Sequence, residues 1–144
     1  MTGIPGEPLL LHASCVAVEG RGLLILGPSG AGKSALALQM MALGAALVSD
    51  DQTLLSPEEG RLVASAPAPI SGLIEARFLG ILTVPSLASA EIALVLDLGQ
   101  TETERLPEYR KITLAGVSCA LAYSSSAPHL AAALMCLLRY GRSA

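Results

Sequence analysis

Residues 22–34, GLLILGPSGAGKS, carry the strongest structural signal in the chain. Its last eight residues match the pattern G-x-x-x-x-G-K-[ST] in full. The glycines let the backbone turn so that successive N–H groups point inward around a phosphate. The Lys33 ammonium can neutralise charge on the β- and γ-phosphates, and the Ser34 hydroxyl can bind Mg²⁺. The sequence therefore predicts that a nucleotide is bound by Gly27, Pro28, Ser29, Gly30, Ala31, Gly32, Lys33 and Ser34.

The segments on both sides of this loop have the pattern that such a loop requires. The apolar residues 22–26 predict a buried strand, and residues 33–42 predict a helix that Gly44 ends. A helix that begins at the loop directs the positive end of its dipole at the anion. Residues 45–49 predict a second strand. This strand–loop–helix–strand order begins an α/β nucleotide-binding unit.

The rest of the chain predicts mainly strands. Residues 9–18 form an apolar, partly alternating run, which predicts a strand that pairs with residues 22–26. Later patterns predict strands at 53–55, 61–64, 79–84, 92–96, 112–114 and 117–121, a Pro-rich loop at 66–72 and a helix at 128–140. Together they predict one α/β domain over residues 1–144, with a mixed sheet and antiparallel additions.

Composition and charge exclude several classes of protein. The chain has 144 residues, 52% of them apolar and 15% charged, which suits a single globular core. A net charge of −3 without a cluster of Lys or Arg argues against nucleic-acid binding. No apolar run approaches the ~20 residues of a membrane-spanning helix, and no signal-peptide pattern is visible. We therefore expect a cytoplasmic protein that enters no membrane. The cysteines have no paired spacing and are expected to be buried, reduced thiols: Cys15, Cys119 and Cys136.

Two acidic positions after predicted strands are candidates for the metal ligand and the proton acceptor of phosphoryl transfer. Asp50 and Asp51 follow the strand at 45–49, and Asp97 follows the strand at 92–96. Adjacent residues on a strand point to opposite sides, so Asp50 and Asp51 would do different jobs. By pattern alone the pair and Asp97 compete about equally. Either position could also be a solvated strand end or a turn former.

Three further residues carry weaker signals. His12 lies in an apolar stretch, where the pattern favours a core histidine with satisfied hydrogen bonds. Glu75 and Arg77 follow the Pro-rich loop, and on an extended segment their alternate spacing would turn them to the same side. They are either a surface ion pair or a pair that contacts a metal and a phosphate.

In their order along the chain, these segments resemble the catalytic domain of HPr kinase/phosphorylase. The resemblance is carried by LLHASCVAV (10–18), LLILGPSGAGKS (23–34), ALGAALVSDD (42–51) and GLIEARFLGILTV (72–84). It runs from roughly Leu9 to Val84. It implies the α/β fold of the HPr kinase/PEP carboxykinase type, in a shortened form without the N-terminal domain of longer members.

The resemblance also implies a function. It implies an ATP- and Mg²⁺-dependent serine kinase that phosphorylates HPr, the phosphocarrier protein of a phosphotransferase system, with a reverse phosphorylase reaction. Asp50 would accept the serine proton, with His12, Lys33 and Arg77 as the other catalytic residues. The implied metal ligands are Ser34, Asp51 and Glu75. Asp97 would then be a structural strand end, and assembly into a homo-oligomer is an expectation.

Two other functions stay open on the sequence. A small-molecule kinase would share the phosphate motif, but such enzymes usually carry an Arg-rich lid, and the seven arginines here are scattered. A regulatory module would bind ATP without transferring phosphate. The common protein-kinase fold is excluded, because the chain has no H-R-D and no D-F-G motif.

Overall fold

A nine-stranded mixed sheet organises residues 3–144, the part of the chain that the computed structural model describes. Two α-helices pack on one face of this sheet, and a separate two-stranded hairpin stands beside it. The elements are β1 (Leu9–Leu11), β2 (Ala13–Val18), β3 (Arg21–Leu26), α1 (Lys33–Ala42), β4 (Ala46–Ser49), β5 (Thr53–Glu58), β6 (Arg61–Ser65), a 3₁₀ turn (Ala68–Ile70), β7 (Leu73–Ala76), β8 (Gly80–Thr83), β9 (Ala90–Thr101), β10 (Arg110–Leu114), β11 (Val117–Ser124) and α2 (Leu130–Tyr140).

The strand order is β1-β5-β6-β9-β3-β2-β4, and β11 also pairs with β9 and carries β10 at its outer side. The pairings of β9 with β3 and with β11 are parallel, and the other pairings of this sheet are antiparallel. Leu26, Asp97 and Tyr123 stand in register on the three parallel strands. The carboxyl ends of these strands therefore meet at one edge. The predicted mixed α/β sheet is confirmed.

The strand before the phosphate loop is buried on both faces. Leu23 and Ile25 of β3 face the cluster that contains both helices, whereas Leu24 faces a second cluster under the β5–β6 hairpin. All three are fully buried. Full burial of such side chains contributes about 1.5–3 kcal/mol each. The strand that leads into the phosphate loop is therefore anchored in the core on both of its faces.

Several predicted boundaries differ from the structure, and those in the main sheet differ because pairing partners change along the chain. The predicted strand at 9–18 is broken at His12, where β1 leaves to pair with β5 and β2 pairs with β3. Strand β9 runs from Ala90 to Thr101 because it pairs with three strands in succession. Strand β7, the first half of a hairpin of which only the second strand was predicted, occupies Leu73–Ala76. The last helix begins at Leu130 rather than at residue 128.

The expectations on cysteines and membranes have separate outcomes. Cys15 and Cys119 are buried free thiols, as predicted, but Cys136 is exposed on α2. Within residues 3–144, no helix is long and apolar enough to cross a membrane.

Candidate functional site

The loop between β3 and α1 encloses open space. Gly30 and Gly32 have φ of 83° and 98°, a left-handed conformation that glycine adopts without steric cost. A Cβ atom added at either position would meet no other atom within 4 Å. Helix α1 begins just after Gly32 without a side-chain cap, so the first N–H groups of the helix are available to an anion. The loop is shaped to hold a phosphate group.

Lys33 lies across this loop. Its side chain is almost fully buried, and its Nζ donates hydrogen bonds to the carbonyls of Gly27 at 2.8 Å and Pro28 at 3.1 Å. An ammonium has three N–H donors. These two bonds leave one donor and the full positive charge for a phosphate oxygen.

Asp50 is the carboxylate that ties the site together. It is only 6% exposed. Its Oδ1 accepts hydrogen bonds from the hydroxyls of Ser14 (2.8 Å) and Ser34 (2.6 Å), and its Oδ2 accepts one from the backbone N–H of Glu75 (3.0 Å). Both oxygens therefore have partners, and the carboxylate joins β2, α1 and β7.

Asp50 and Asp51 point in different directions, as predicted, but the cause is not the alternation of side chains along a strand. Strand β4 ends at Ser49, so Asp50 and Asp51 lie in a turn rather than on a strand. The N–H of Gln52 donates to the carbonyl of Asp50 at 2.8 Å, and the Ser49 hydroxyl donates to the carbonyl of Gln52. Asp51 takes a left-handed φ of 67°, which aspartate tolerates better than most residues. This turn buries one acid and exposes the other.

His12 and Asp51 form an exposed pair beside the loop. The Nε2 atom of His12 donates to Oδ1 of Asp51 at 2.6 Å, and the two side chains are 57% and 63% exposed. The backbone N–H of Asp51 donates to the Ser14 hydroxyl at 3.1 Å. The interpretation of His12 as a core histidine is wrong, because the break between β1 and β2 puts it at the surface.

A cavity of about 450 Å³ lies between the phosphate loop and the β7–β8 hairpin. Its volume is in the range of small-molecule sites, roughly 300–1,000 Å³. Asp51, Glu75 and Arg77 line it together with Lys33 and Ser34. The phosphate loop, Asp51 of the acidic pair and the segment with Glu75 and Arg77 are far apart along the chain but line the same cavity.

Glu75 and Arg77 reach this cavity in an unexpected way. Strand β7 ends at Ala76, so Arg77 lies in the turn that follows and not on an extended segment with Glu75. Among the described residues, the ion pairs do not include one between Glu75 and Arg77. The surface ion pair is therefore wrong for this structure, and both residues remain candidates for contacts with the ligand.

Asp97 and Ser14 show what the sequence patterns missed. Asp97 lies inside β9 and not at its end, and it accepts a hydrogen bond from the N–H of Gly99 at 2.8 Å. Ser14 is fully buried and bonds to both neighbouring acids, but no motif indicated it. The one feature of the sequence that could have indicated Ser14 is its polar side chain in an apolar strand, two positions after His12.

The residues present fit a magnesium ion that is shared with a phosphate. Within residues 3–144, no group of three His, Cys, Asp or Glu is close enough to hold a metal by itself. Mg²⁺ typically takes one or two carboxylates and completes its shell with water and substrate phosphates. Ser34 and Asp50 are hydrogen-bonded at 2.6 Å, and Glu75 lines the adjoining cavity. Asp50, rather than the predicted Asp51, is the acid beside Ser34.

Comparison with known proteins gives similarities to HPr kinases. Residues 7–115 match the family model described as the HPr Serine kinase C-terminal domain. The chain is 46% identical over 88 residues to the HPr kinase/phosphorylase of Clostridium tetani, covering 61% of this chain and 28% of that protein. It is 36% identical over 102 residues to the HPr kinase/phosphorylase of Mycoplasmopsis pulmonis, covering 66% of this chain and 33% of that protein. The alignments thus span about a third or less of these curated relatives.

The fold also has a solved counterpart. The structure described as that of the Hpr(Ser) kinase/phosphatase from Coxiella burnetii superposes with a TM-score of 0.77 at 26% sequence identity. The match covers 91% of this chain and 94% of the Coxiella chain. It confirms the fold expected from the resemblance.

Proposed function

The chain belongs to the family of the HPr serine kinase C-terminal domain, and on that premise we propose that it is an ATP- and Mg²⁺-dependent serine kinase. Its substrate is a serine of an HPr-type phosphocarrier protein of a phosphotransferase system. The same site runs the reverse, phosphorylase reaction. The proposal includes a cytoplasmic location, where ATP and the phosphocarrier meet.

One observation carries the proposal: the phosphate loop and the exposed Asp51, which is hydrogen-bonded to His12, line one cavity. The loop with Lys33 suits the β- and γ-phosphates. An exposed carboxylate beside them suits the hydroxyl of an incoming serine.

The proton acceptor in this proposal is Asp51 and not Asp50, the residue that the resemblance implied. Asp50 is buried, and both of its oxygens already accept hydrogen bonds. A general base must reach the proton that it removes. Asp51 is exposed, lines the cavity and is oriented by His12.

The forward step is a displacement at phosphorus. The serine oxygen of the phosphocarrier bonds to the γ-phosphorus, the bond from that phosphorus to the bridging oxygen breaks, and ADP leaves. The serine proton passes to the Asp51 carboxylate. In the phosphorylase direction, an oxygen of inorganic phosphate bonds to the phosphoserine phosphorus, and the bond from that phosphorus to the serine oxygen breaks. Pyrophosphate forms, and Asp51 returns the proton to the serine oxygen that leaves.

The remaining side chains position the phosphate groups and neutralise their negative charge. Lys33 lines the cavity and would contact the β- and γ-phosphates, and the Arg77 guanidinium lines the same cavity, where it can contact the transferred phosphoryl group. Ser34, Asp50 and Glu75 would hold Mg²⁺, which neutralises phosphate charge when bound. Such positioning supplies most of the catalysis of phosphoryl transfer.

The test is transfer from γ-labelled ATP, with Mg²⁺, to a purified HPr-type protein from the same organism. We expect label on serine with the wild type and none with Lys33→Ala. Asp51→Asn should bind ATP as the wild type does but lose about 10²-fold or more in turnover. Added inorganic phosphate should remove the label and release pyrophosphate.

Two outcomes would redirect the proposal. Tight ATP binding without label on any HPr-type protein would favour a regulatory module. If label transfer persists in Asp51→Asn but is lost in Asp50→Asn, with ATP still bound, Asp50 is the proton acceptor, as the resemblance implied.

A further inference from the structure

We propose that the base of the bound nucleotide occupies a second cavity, of about 240 Å³, between the N-terminal ends of α1 and α2. Leu98 and Leu130 form apolar walls of this cavity, and Gln39 and Ser125 supply polar groups. We call it the base cavity. The inference rests on the proposed function, because it requires a nucleotide whose phosphates sit in the loop.

The topology of the sheet puts the base cavity where an α/β fold binds ligands. In such folds, ligands bind outside the carboxyl ends of parallel strands. The three parallel strands stand in register at Leu26, Asp97 and Tyr123. Strand β3 ends at Leu26, and the phosphate loop follows it. Leu98, the residue of β9 after Asp97, and Ser125, the residue after the end of β11, line the base cavity.

Strand β9 also approaches the phosphate loop closely, through Leu98. A Cβ atom added at Gly27 would lie 3.1 Å from the Cβ of Leu98 and 3.1 Å from the Cβ of Ala31. Leu98 and Ala31 both line the base cavity. The wall of this cavity is therefore built partly from the phosphate loop itself.

The base cavity adjoins the cavity of about 450 Å³ between the phosphate loop and the β7–β8 hairpin, which we call the reaction cavity, at the start of α1. Gly32 and Ala35 line both cavities. Asp51 and Arg77 line only the reaction cavity, whereas Gln39 lines only the base cavity. A nucleotide whose phosphates contact the first turn of α1 can therefore direct its γ-phosphate to one side and its base to the other.

Another large cavity does not suit this role. It measures about 440 Å³ and is lined by Arg21 at the beginning of β3. The phosphate loop follows Leu26 at the other end of that strand, five residues later. At about 3.3 Å per residue, the two ends of β3 lie roughly 17 Å apart.

The size and chemistry of the base cavity suit a flat heterocycle. At about 240 Å³ it is smaller than the roughly 300–1,000 Å³ of sites for drug-sized ligands. The Gln39 amide carries both donors and an acceptor for the edge of a base. The Ser125 hydroxyl accepts the N–H of Ala127 at 3.2 Å and keeps its own proton to donate. The ligand class that fits is a nucleobase held between aliphatic side chains.

The experiment compares ATP with tripolyphosphate, which has the phosphates but no base, by calorimetric binding in the presence of Mg²⁺. Gln39→Trp should fill the base cavity and weaken ATP binding by about tenfold or more, while tripolyphosphate binding stays within about twofold. Ala42→Trp, at an exposed position less than one turn farther along α1, is the matched control and should leave both affinities unchanged. Gln39→Ala keeps the fold and removes only the amide, and it should weaken ATP alone by about threefold.

Each other result has a defined meaning. If the wild type binds ATP and tripolyphosphate equally well, or if ATP affinity is unchanged in both Gln39 variants, the base does not use this cavity and the inference fails. If Gln39→Ala weakens both ligands equally, the residue acts through the loop and the inference also fails. If the wild type binds neither ligand, the proposed nucleotide function itself fails.

Discussion

Replacement of Ser14 by alanine tests the hydrogen-bond network beneath the site. Ser14 is fully buried in β2, donates to Asp50 at 2.8 Å and accepts the N–H of Asp51 at 3.1 Å. Alanine has nearly the same size, so the substitution removes both hydrogen bonds and leaves the packing almost unchanged. We expect lower stability and, because Asp51 loses its anchor, a slower transfer reaction.

The size of the effect follows from the two bonds. A hydrogen bond to a charged acceptor contributes about 1.5–3 kcal/mol, and a neutral one about 0.5–1.5 kcal/mol. Their loss should lower the free energy of unfolding by about 3 kcal/mol, a large part of the roughly 5–15 kcal/mol of a typical domain. In a domain of this size, that corresponds to a fall of roughly 10 °C in Tm.

Urea denaturation measures this difference as a lower midpoint with an unchanged slope. Ser56→Ala is the matched control, since Ser56 is half-buried in β5 and lies away from the Asp50 carboxylate. We expect its free energy of unfolding to stay within about 0.5 kcal/mol of the wild type. A loss below about 1 kcal/mol for Ser14→Ala, or equal losses in both variants, would refute the reasoning.

Three further predictions concern single side chains. His12→Gln should slow phosphoryl transfer by roughly a hundredfold with little change in the free energy of unfolding, because His12 is 57% exposed; label transfer and urea denaturation check this. Burial raises the pKa of Cys15 to about 12, so Ellman's reagent at pH 8 should modify exposed Cys136 readily and Cys15 only after unfolding. The backbone N–H of Glu104 lowers the pKa of Glu102 in the folded state, so Glu102 stabilises the fold above the pKa that it has when unfolded. In denaturation at several pH values, the advantage of the wild type over Glu102→Gln should be full at neutral pH and vanish as the pH falls through the lowered pKa.

Local patterns predicted most of the elements, because each depends on residues close together in the chain. The phosphate loop, its helix and the β2–β3 hairpin follow from glycine positions and apolar spacing within about 30 residues. What failed was non-local. The break at His12 depends on β1 pairing with β5, some 40 residues later, and the length of β9 depends on three different partners.

The sequence indicated which residues lie at the candidate site better than it indicated how each of them is placed there. Patterns and resemblance indicated His12, the paired acids, Glu75 and Arg77, and all of them lie around the phosphate loop. The different environments of the two acids depend on the turn after Ser49. The end of the strand at residue 49 was predicted correctly, but no local pattern indicates which of the two acids that follow is buried by this turn.

The antiparallel strand β2 acts as a spacer in this sheet. It lies between β3, which leads into the phosphate loop, and β4, which leads into the acidic turn. Because neighbouring strands lie about 4.8 Å apart, the two outer strands are held about 10 Å from each other. Backbone hydrogen bonds set this gap, so side-chain substitutions leave its width unchanged. The distance between the phosphate donor and the proton acceptor is therefore set by the strand order. Substitutions of side chains can change the chemistry of the site without changing this distance.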